Sequence, residues 1–298
     1  MNHLKLTALI FLFCATHAFA QNSGAKEDAV SQVRPLSNFN FIKLKSGDEV
    51  FVTQENSFGI KVVAADELID QVTTEVSNNT LEIGTKSKGM KSGQPQARIY
   101  ISLPKPNGLE VDGSGTIVMQ NSLMTDFLSL SVNGSGTIKI QESTTQQLKI
   151  SMNGSGTIKH DDVVTERALI ELAGSGSVKG GNIMCKMVSL SVSGSGSIKS
   201  EEISSSKISM TNNGSGSINQ DGGMASMVMI ENSGSGDIDA GNLKAASLSV
   251  VNSGSGDIII GTGEMLEAQL TGSGDIRYHT APMNIRKDVR GSGRIGPL

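Results

Sequence analysis

The tripeptide Gly-Ser-Gly recurs ten times, beginning at Gly113, Gly134, Gly154, Gly174, Gly194, Gly214, Gly234, Gly254, Gly272 and Gly291. The intervals are 21, then six of 20, then 18 and 19 residues. A fixed period of that length marks a repeat architecture, in which each unit is stabilised by its neighbours. Between copies, apolar and polar residues alternate, as in Leu128-Ser129-Leu130-Ser131-Val132, which is strand periodicity. Counted from the first glycine, aliphatic residues fall into columns with one member per repeat. Leu130, Ile150, Ile170 and Leu190 stand four places before it; Ile138, Ile158, Val178 and Ile198 stand four places after. A unit this small cannot bury its apolar face alone. Stacking coils roughly 4.8 Å apart closes the backbone hydrogen bonds and aligns like side chains. The expectation is an all-β chain forming a parallel β-helix (β-solenoid) with about 20 residues per coil and a rod about 43 Å long. Propeller blades need about 40 residues, and the leucine-asparagine signature of leucine-rich repeats is absent.

Before the repeats, Met1 to Ala20 has the layout of an export signal: Lys5, an apolar run from Leu6 to Ala15, and the small-x-small pattern Ala18-Phe19-Ala20. Phe13 precedes Cys14 where a lipoprotein site needs a small residue. The expected mature chain begins at Gln21, has no membrane-spanning segment, and resides in the periplasm, on the outer-membrane surface or outside the cell. Its one cysteine is Cys185, so no intrachain disulfide can brace it. The boundaries that follow are 1–20 signal peptide, 21–35 polar segment, 36–107 irregular β coils or cap, and 108–298 Gly-Ser-Gly solenoid. With a net charge of −4 and no basic block, the chain is not a nucleic-acid binder, because phosphate neutralisation needs clustered Lys and Arg.

The columns also carry the candidate site residues. Two places before the glycine, Asn212, Asn232 and Asn252 replace Val111, Val132, Met152, Leu172 and Val192 on an inward parity. Stacked amides there would bond to one another and to the backbone of a bend, a structural device. The tripeptide itself reads as a corner where glycine permits positive φ or close backbone approach. It is not a phosphate cradle, since a strand and not a helix follows it. Outward hydroxyls form two rows: Ser135, Ser155, Ser175 and Ser195 in one, Thr137, Thr157, Ser177 and Ser197 in the next. These rows are the candidate ligand-binding ladders, suited to a cell-surface polysaccharide or a protein. Further along, Asp237, Asp257 and Asp275 make a carboxylate column, with Asp239 beside it. Like charges so stacked repel unless a cation intervenes, which makes calcium the one cofactor to consider; none is otherwise implied. Catalysis is the weaker alternative, a calcium-assisted polysaccharide lyase or hydrolase. The chain past residue 20 has two histidines, His160 and His279, no Trp, and the tyrosines Tyr100 and Tyr278, whereas sugar platforms tend to be aromatic. No catalytic residue is assigned. Ice binding through hydroxyl rows is weaker still, since serine and aspartate replace paired threonines.

In the first third, Phe39 to Val52 suggests strands joined at Gly47-Asp48, and Ile60-Lys61-Val62-Val63 and Thr80-Leu81-Glu82-Ile83 suggest two more. Ala65 to Val76 reads as one or two helical turns, Gln21 to Val33 as a mobile polar segment, and Gly84 to Gln96 as a solvated loop carrying Lys86, Lys88 and Lys91. Arg98 to Leu103 is another strand, ended by Pro104. At the far end Arg286, Lys287, Arg290, Arg294 and Pro297 guard the last coil against strand addition.

The ordered set Phe39–Val52, Ile60-Lys61-Val62, Asp66-Glu67-Leu68-Ile69, Asn79–Ile83, Ile99–Pro104 and Leu109–Gly115 resembles the head GIN domain of bacterial auto-transporter adhesins. The resemblance runs from about Pro35 to the end. It implies a right-handed parallel β-helix exported by Gram-negative bacteria, with a role in adhesion and no enzymatic residues. No translocator barrel is recognisable, which puts self-transport in doubt. The expected protein is an exported, non-enzymatic adhesion or binding scaffold, its ligand and oligomeric state unnamed.

Overall fold

The computed structural model describes residues 29–86 and 97–298. The export-signal reading, most of the segment from Gln21, and Lys88 and Lys91 lie outside the described residues. Every coil of the repeat region pairs in parallel with the next, in the register that the tripeptide sets. Leu130 lies against Ile150, Ile150 against Ile170, and Ile170 against Leu190. Ile138, Ile158, Val178 and Ile198 do the same on the other side of the corner. The result is the expected β-solenoid of about ten turns. The aligned aliphatic residues are nearly all inaccessible and form one continuous core along the rod.

The N-terminal third shares this core without the tripeptide. Its strands are β1 (Ala29–Val33), β2 (Phe41–Leu44), β3 (Glu49–Gln54), β4 (Gly59–Ala65), β5 (Val72–Ser77), β6 (Thr80–Thr85), β7 (Ala97–Leu103), β8 (Gly108–Gly113) and β9 (Thr116–Met119). β2 is sandwiched in parallel between β6 and β8, and β3 between β7 and β9, so two irregular coils continue the stack. Beyond them β4 joins β7, β1 joins β4 and β5 joins β6, all antiparallel. These antiparallel strands terminate the parallel stack. Two expectations are corrected. Ala29–Val33, read as mobile, is β1, because its backbone pairs with Lys61 to Ala65. Of Ala65 to Val76 only Asp66–Ile69 is helical; Val72–Ser77 is a strand, since its alternation lets Val72 and Val76 pack inward while Thr73 and Glu75 pair across to β6.

One internal column is not aliphatic throughout. Six places after the first glycine it runs Met119, Ile140, His160, Gly180, Ser200, Gln220, Ala240, Ile260, Tyr278. His160, Ser200 and Gln220 are buried, and His160 Nε2, Ser200 Oγ and Gln220 Oε1 have no hydrogen-bond partner among the described residues. The imidazole fills the space that a Cβ on Gly180 would need. Its Nδ1–H donates to the Asp161 carbonyl at 2.8 Å. Burial pushes the His160 imidazole below its ordinary pKa, so it is neutral at pH 7.

Candidate functional site

The strands that follow the tripeptide form a regular face whose outward columns are set by the pleat and the coil register. Ser135, Ser155, Ser175 and Ser195 are exposed at the corner. Each of the last three donates its backbone N–H to the first glycine of the coil before, Ser155 to Gly134, Ser175 to Gly154 and Ser195 to Gly174. Thr137, Thr157, Ser177 and Ser197 are half-buried and directly stacked, with the hydroxyls of Ser177 and Ser197 3.5 Å apart. The structure thus assembles both hydroxyl rows side by side.

The next outward column is lysine: Lys139, Lys159, Lys179 and Lys199 are partners of one another on consecutive coils, and all four are exposed. Lys199 bridges Asp221 at 2.9 Å, which raises its pKa through that hydrogen bond. The other three make no salt bridge among the described residues. Followed toward the cap, the column continues through Val118 to Phe51 and Tyr100. Those two rings are half-buried and stacked, with centroids 5.2 Å apart and planes 19° from parallel. The lysine column has its own sequence signal, recurrence at intervals of 20, which is masked when Thr-Ile-Lys is read only as continuing strand. The aromatic pair has none, because Phe51 and Tyr100 meet only through the out-of-order stacking of β3 on β7.

The aspartate column lies on the same face nearer the C-terminus. Asp237 Oδ1 accepts the backbone N–H of Asp257 at 2.8 Å, Asp257 Oδ1 that of Asp275 at 2.8 Å, and Asp275 Oδ1 that of Arg294 at 2.9 Å. Arg277 binds Asp275 at 2.8 Å and approaches Asp257 at 3.8 Å. The Arg277 guanidinium and the Arg294 amide hold the Asp275 carboxyl below its usual pKa. These carboxylates therefore cap the unpaired amides of successive coils. Among the described residues, no group of three or more His, Cys, Asp or Glu side chains is arranged to hold a metal ion.

Of the two sets of bonds expected of the asparagines, those to the backbone of the bend are made and those between amides are not. Asn212, Asn232 and Asn252 do not bond to one another. Each Nδ2 donates to a glycine carbonyl four residues on (Gly216, Gly236 and Gly256, 2.8 to 2.9 Å), and each Oδ1 accepts from the glycine two residues on. Beside them a shallow groove of about 420 Å³ follows the corner, lined by Ser233, Ser235, Ser253, Ser255, Thr271 and Ser273. Cys185 is a half-buried free thiol whose pKa burial pushes up, as befits an unreactive residue. A separate face exposes Met124, Met184, Met187, Met224, Met227 and Met265. Among the described residues no helix is long and apolar enough to cross a membrane.

A capped parallel solenoid with in-register polar columns defines a class of repeat scaffold that presents a long, regular surface. The family profile described as "Putative auto-transporter adhesin, head GIN domain" matches residues 38–201 and 181–282, and the chain belongs to that family. It is similar over 91% of its length to crystal structures named putative adhesins from Parabacteroides distasonis (18% identity, 97% of that chain, TM-score 0.59) and Parabacteroides merdae (15%, 97%, 0.56). A third, named a putative lipid binding protein, also from Parabacteroides distasonis, is 22% identical with TM-score 0.50, covering 91% of this chain and 97% of the other. Among curated proteins none matches.

Proposed function

We propose that this protein is an exported, non-enzymatic scaffold that binds a cell-surface polymer or protein through the face following the tripeptide. The observation that carries the reading is the in-register hydroxyl and lysine ladder over Ser135 to Lys199, repeated coil after coil on an exposed sheet. Identical groups at a fixed spacing suit a ligand that itself repeats, because each contact recurs and weak contacts add. Membership of an adhesin family supports export and surface binding. Against catalysis, His160 is sealed inside the rod and the aspartate column is occupied by backbone amides. Native affinity electrophoresis in gels cast with polysaccharides, together with pull-down by envelope preparations, tests the reading. Retardation without clearing of the polymer is expected. Clearing around the band would overturn the non-enzymatic part; no retardation and no envelope binding would overturn the scaffold itself.

A further inference from the structure

Several charges on neighbouring coils of this rod are arranged so that opposite signs meet. Glu166 pairs with Lys186, Lys149 with Glu171, Asp257 with Arg277 and Glu267 with Arg286. The aspartate column is the same rule in another form, its carboxylates satisfied by backbone amides. The longest run of like charge is Lys139, Lys159, Lys179, Lys199, four ammonium groups directly opposite one another about 4.8 Å apart. Like charges so placed destabilise a sheet. Asp161, Glu201 and Asp221 border the column at the next corner, yet only Asp221 closes on a lysine. Nothing in the packing requires ammonium groups there, since the same outward position holds Val118, Asn219 and Ile259 in other coils.

The same column ends, toward the cap, in the stacked and partly exposed rings of Phe51 and Tyr100. An aromatic surface continuous with a row of ammonium groups, of which Lys139, Lys159 and Lys179 make no salt bridge among the described residues, and flanked by hydroxyls has the chemistry to hold a sugar chain that carries carboxylates. From this we infer that the Lys139–Lys199 column binds an acidic polysaccharide, a uronate-type polymer with one carboxylate per residue lying along the rod. A residue of an extended uronate chain is about as long as one coil is thick, so about four residues lying along the rod span the four lysines. The footprint is bounded. Beyond Asn219 the face turns acidic with Asp237, Asp239, Asp257 and Asp275, which repel a polyanion and confine it to the first half of the repeats.

This inference rests on the surface-binding reading above and names its ligand class. The probes are oligogalacturonates of defined length and the same oligomers fully methyl-esterified, titrated into the mature chain by calorimetry at two salt concentrations. Affinity for the free acid should rise with length up to about four residues, one per lysine, and then level off. It should fall with added salt and be absent for the ester. The double variant Lys159→Gln/Lys179→Gln should bind about tenfold more weakly while melting no earlier than the wild type, because repulsion has been relieved. Lys244→Gln, on another face, should bind as the wild type does. Equal binding of acid and ester, an unaffected double variant, or equal affinity for single-stranded DNA of matching charge would each overturn the assignment. So would a dimer in sedimentation that the double variant dissolves, since the partner would then be a second copy presenting Asp237 and Asp257. If the wild type ignores uronates yet is retained by another polysaccharide or by envelope, the inference fails and the scaffold reading stands.

Discussion

The same tripeptide turns the chain in two different ways in the two halves of the rod. At Gly113, Gly134, Gly154 and Gly174 the first glycine has φ between 118° and 150°, a conformation closed to most other residues. Strands in this half run through the corner up to that glycine, as in Leu123–Gly134 and Ser143–Gly154. From Gly194 onward the first glycine is no longer at positive φ, and strands stop two residues earlier, at Val192, Asn212, Asn232 and Asn252. Three asparagine side chains then stitch the corner together. They do not create this second form, because Val192 and Leu270 occupy the same place in it. They satisfy amides and carbonyls that it leaves open. One sequence motif thus tolerates two backbone solutions, and what stays constant is the stacking of glycine on glycine.

That constant is where the comparison is easiest to break. A Cβ on Gly174 would lie 2.5 Å from the carbonyl oxygen of Gly154, and one on Gly234 would collide still more closely with that of Gly214. Backbone from the coil below cannot yield as a side chain can. Each alanine substitution should cost about 3 kcal/mol or more, with Gly234→Ala the worse, read as the midpoint of urea unfolding. If Gly174→Ala proves worse, conformational strain at positive φ governs the corner, and stacking does not. Next in size, Asn232→Val should cost about 1–3 kcal/mol, the penalty for leaving buried backbone groups unpaired. Met152→Asn in the first half should cost more than that, since the left-handed corner offers the amide no partners. A smaller effect comes from His160, packed at Gly180 between the two halves. Its folded pKa is depressed, so the unfolded chain takes up its proton first as pH falls. Stability should be level above about pH 6.5 and decline below it as the buried ring resists protonation. His160→Met should remove that part of the decline in thermal melts against pH. The smallest effect is expected at Cys185, stacked on Ser205 in a column of small polar residues. Cys185→Ser should change stability by about 0.5 kcal/mol or less, and the native thiol should react slowly with a disulfide reagent.

The repeat region was readable because period, parity and register coincide: once Ile138, Ile158 and Val178 are 20 apart, adjacency in space follows. The cap was not, for a physical reason. There β2 and β3 sit between strands that come later in the chain, and β4, β5 and β1 close the end by antiparallel pairing, none of which leaves a period. Val72–Ser77 could be taken for helix since its pairing with β6 depends on a turn, at Asn78 and Asn79 in positive φ, whose strand partners must both be known. At the candidate site the hydroxyl rows were legible from spacing alone. The Phe51–Tyr100 pair became visible only once β3 was stacked on β7, and with it the aromatic surface that composition seemed to deny.

Because each coil meets its neighbours through the same columns, the chain behaves like a tape measure marked every 20 residues. Removing one whole interval, such as residues 194–213, rejoins Ser193 to Gly214 with every column still aligned and shortens the rod by one mark, whereas removing half an interval, such as residues 194–203, sets Gly214 and Gly216 over Met184 and Lys186 and breaks the stacking of glycine on glycine. Duplication of a single unit in the gene lengthens the molecule without a new fold having to be found. The reach of such a protein, and the number of lysines that it lays end to end, can therefore be set by counting units.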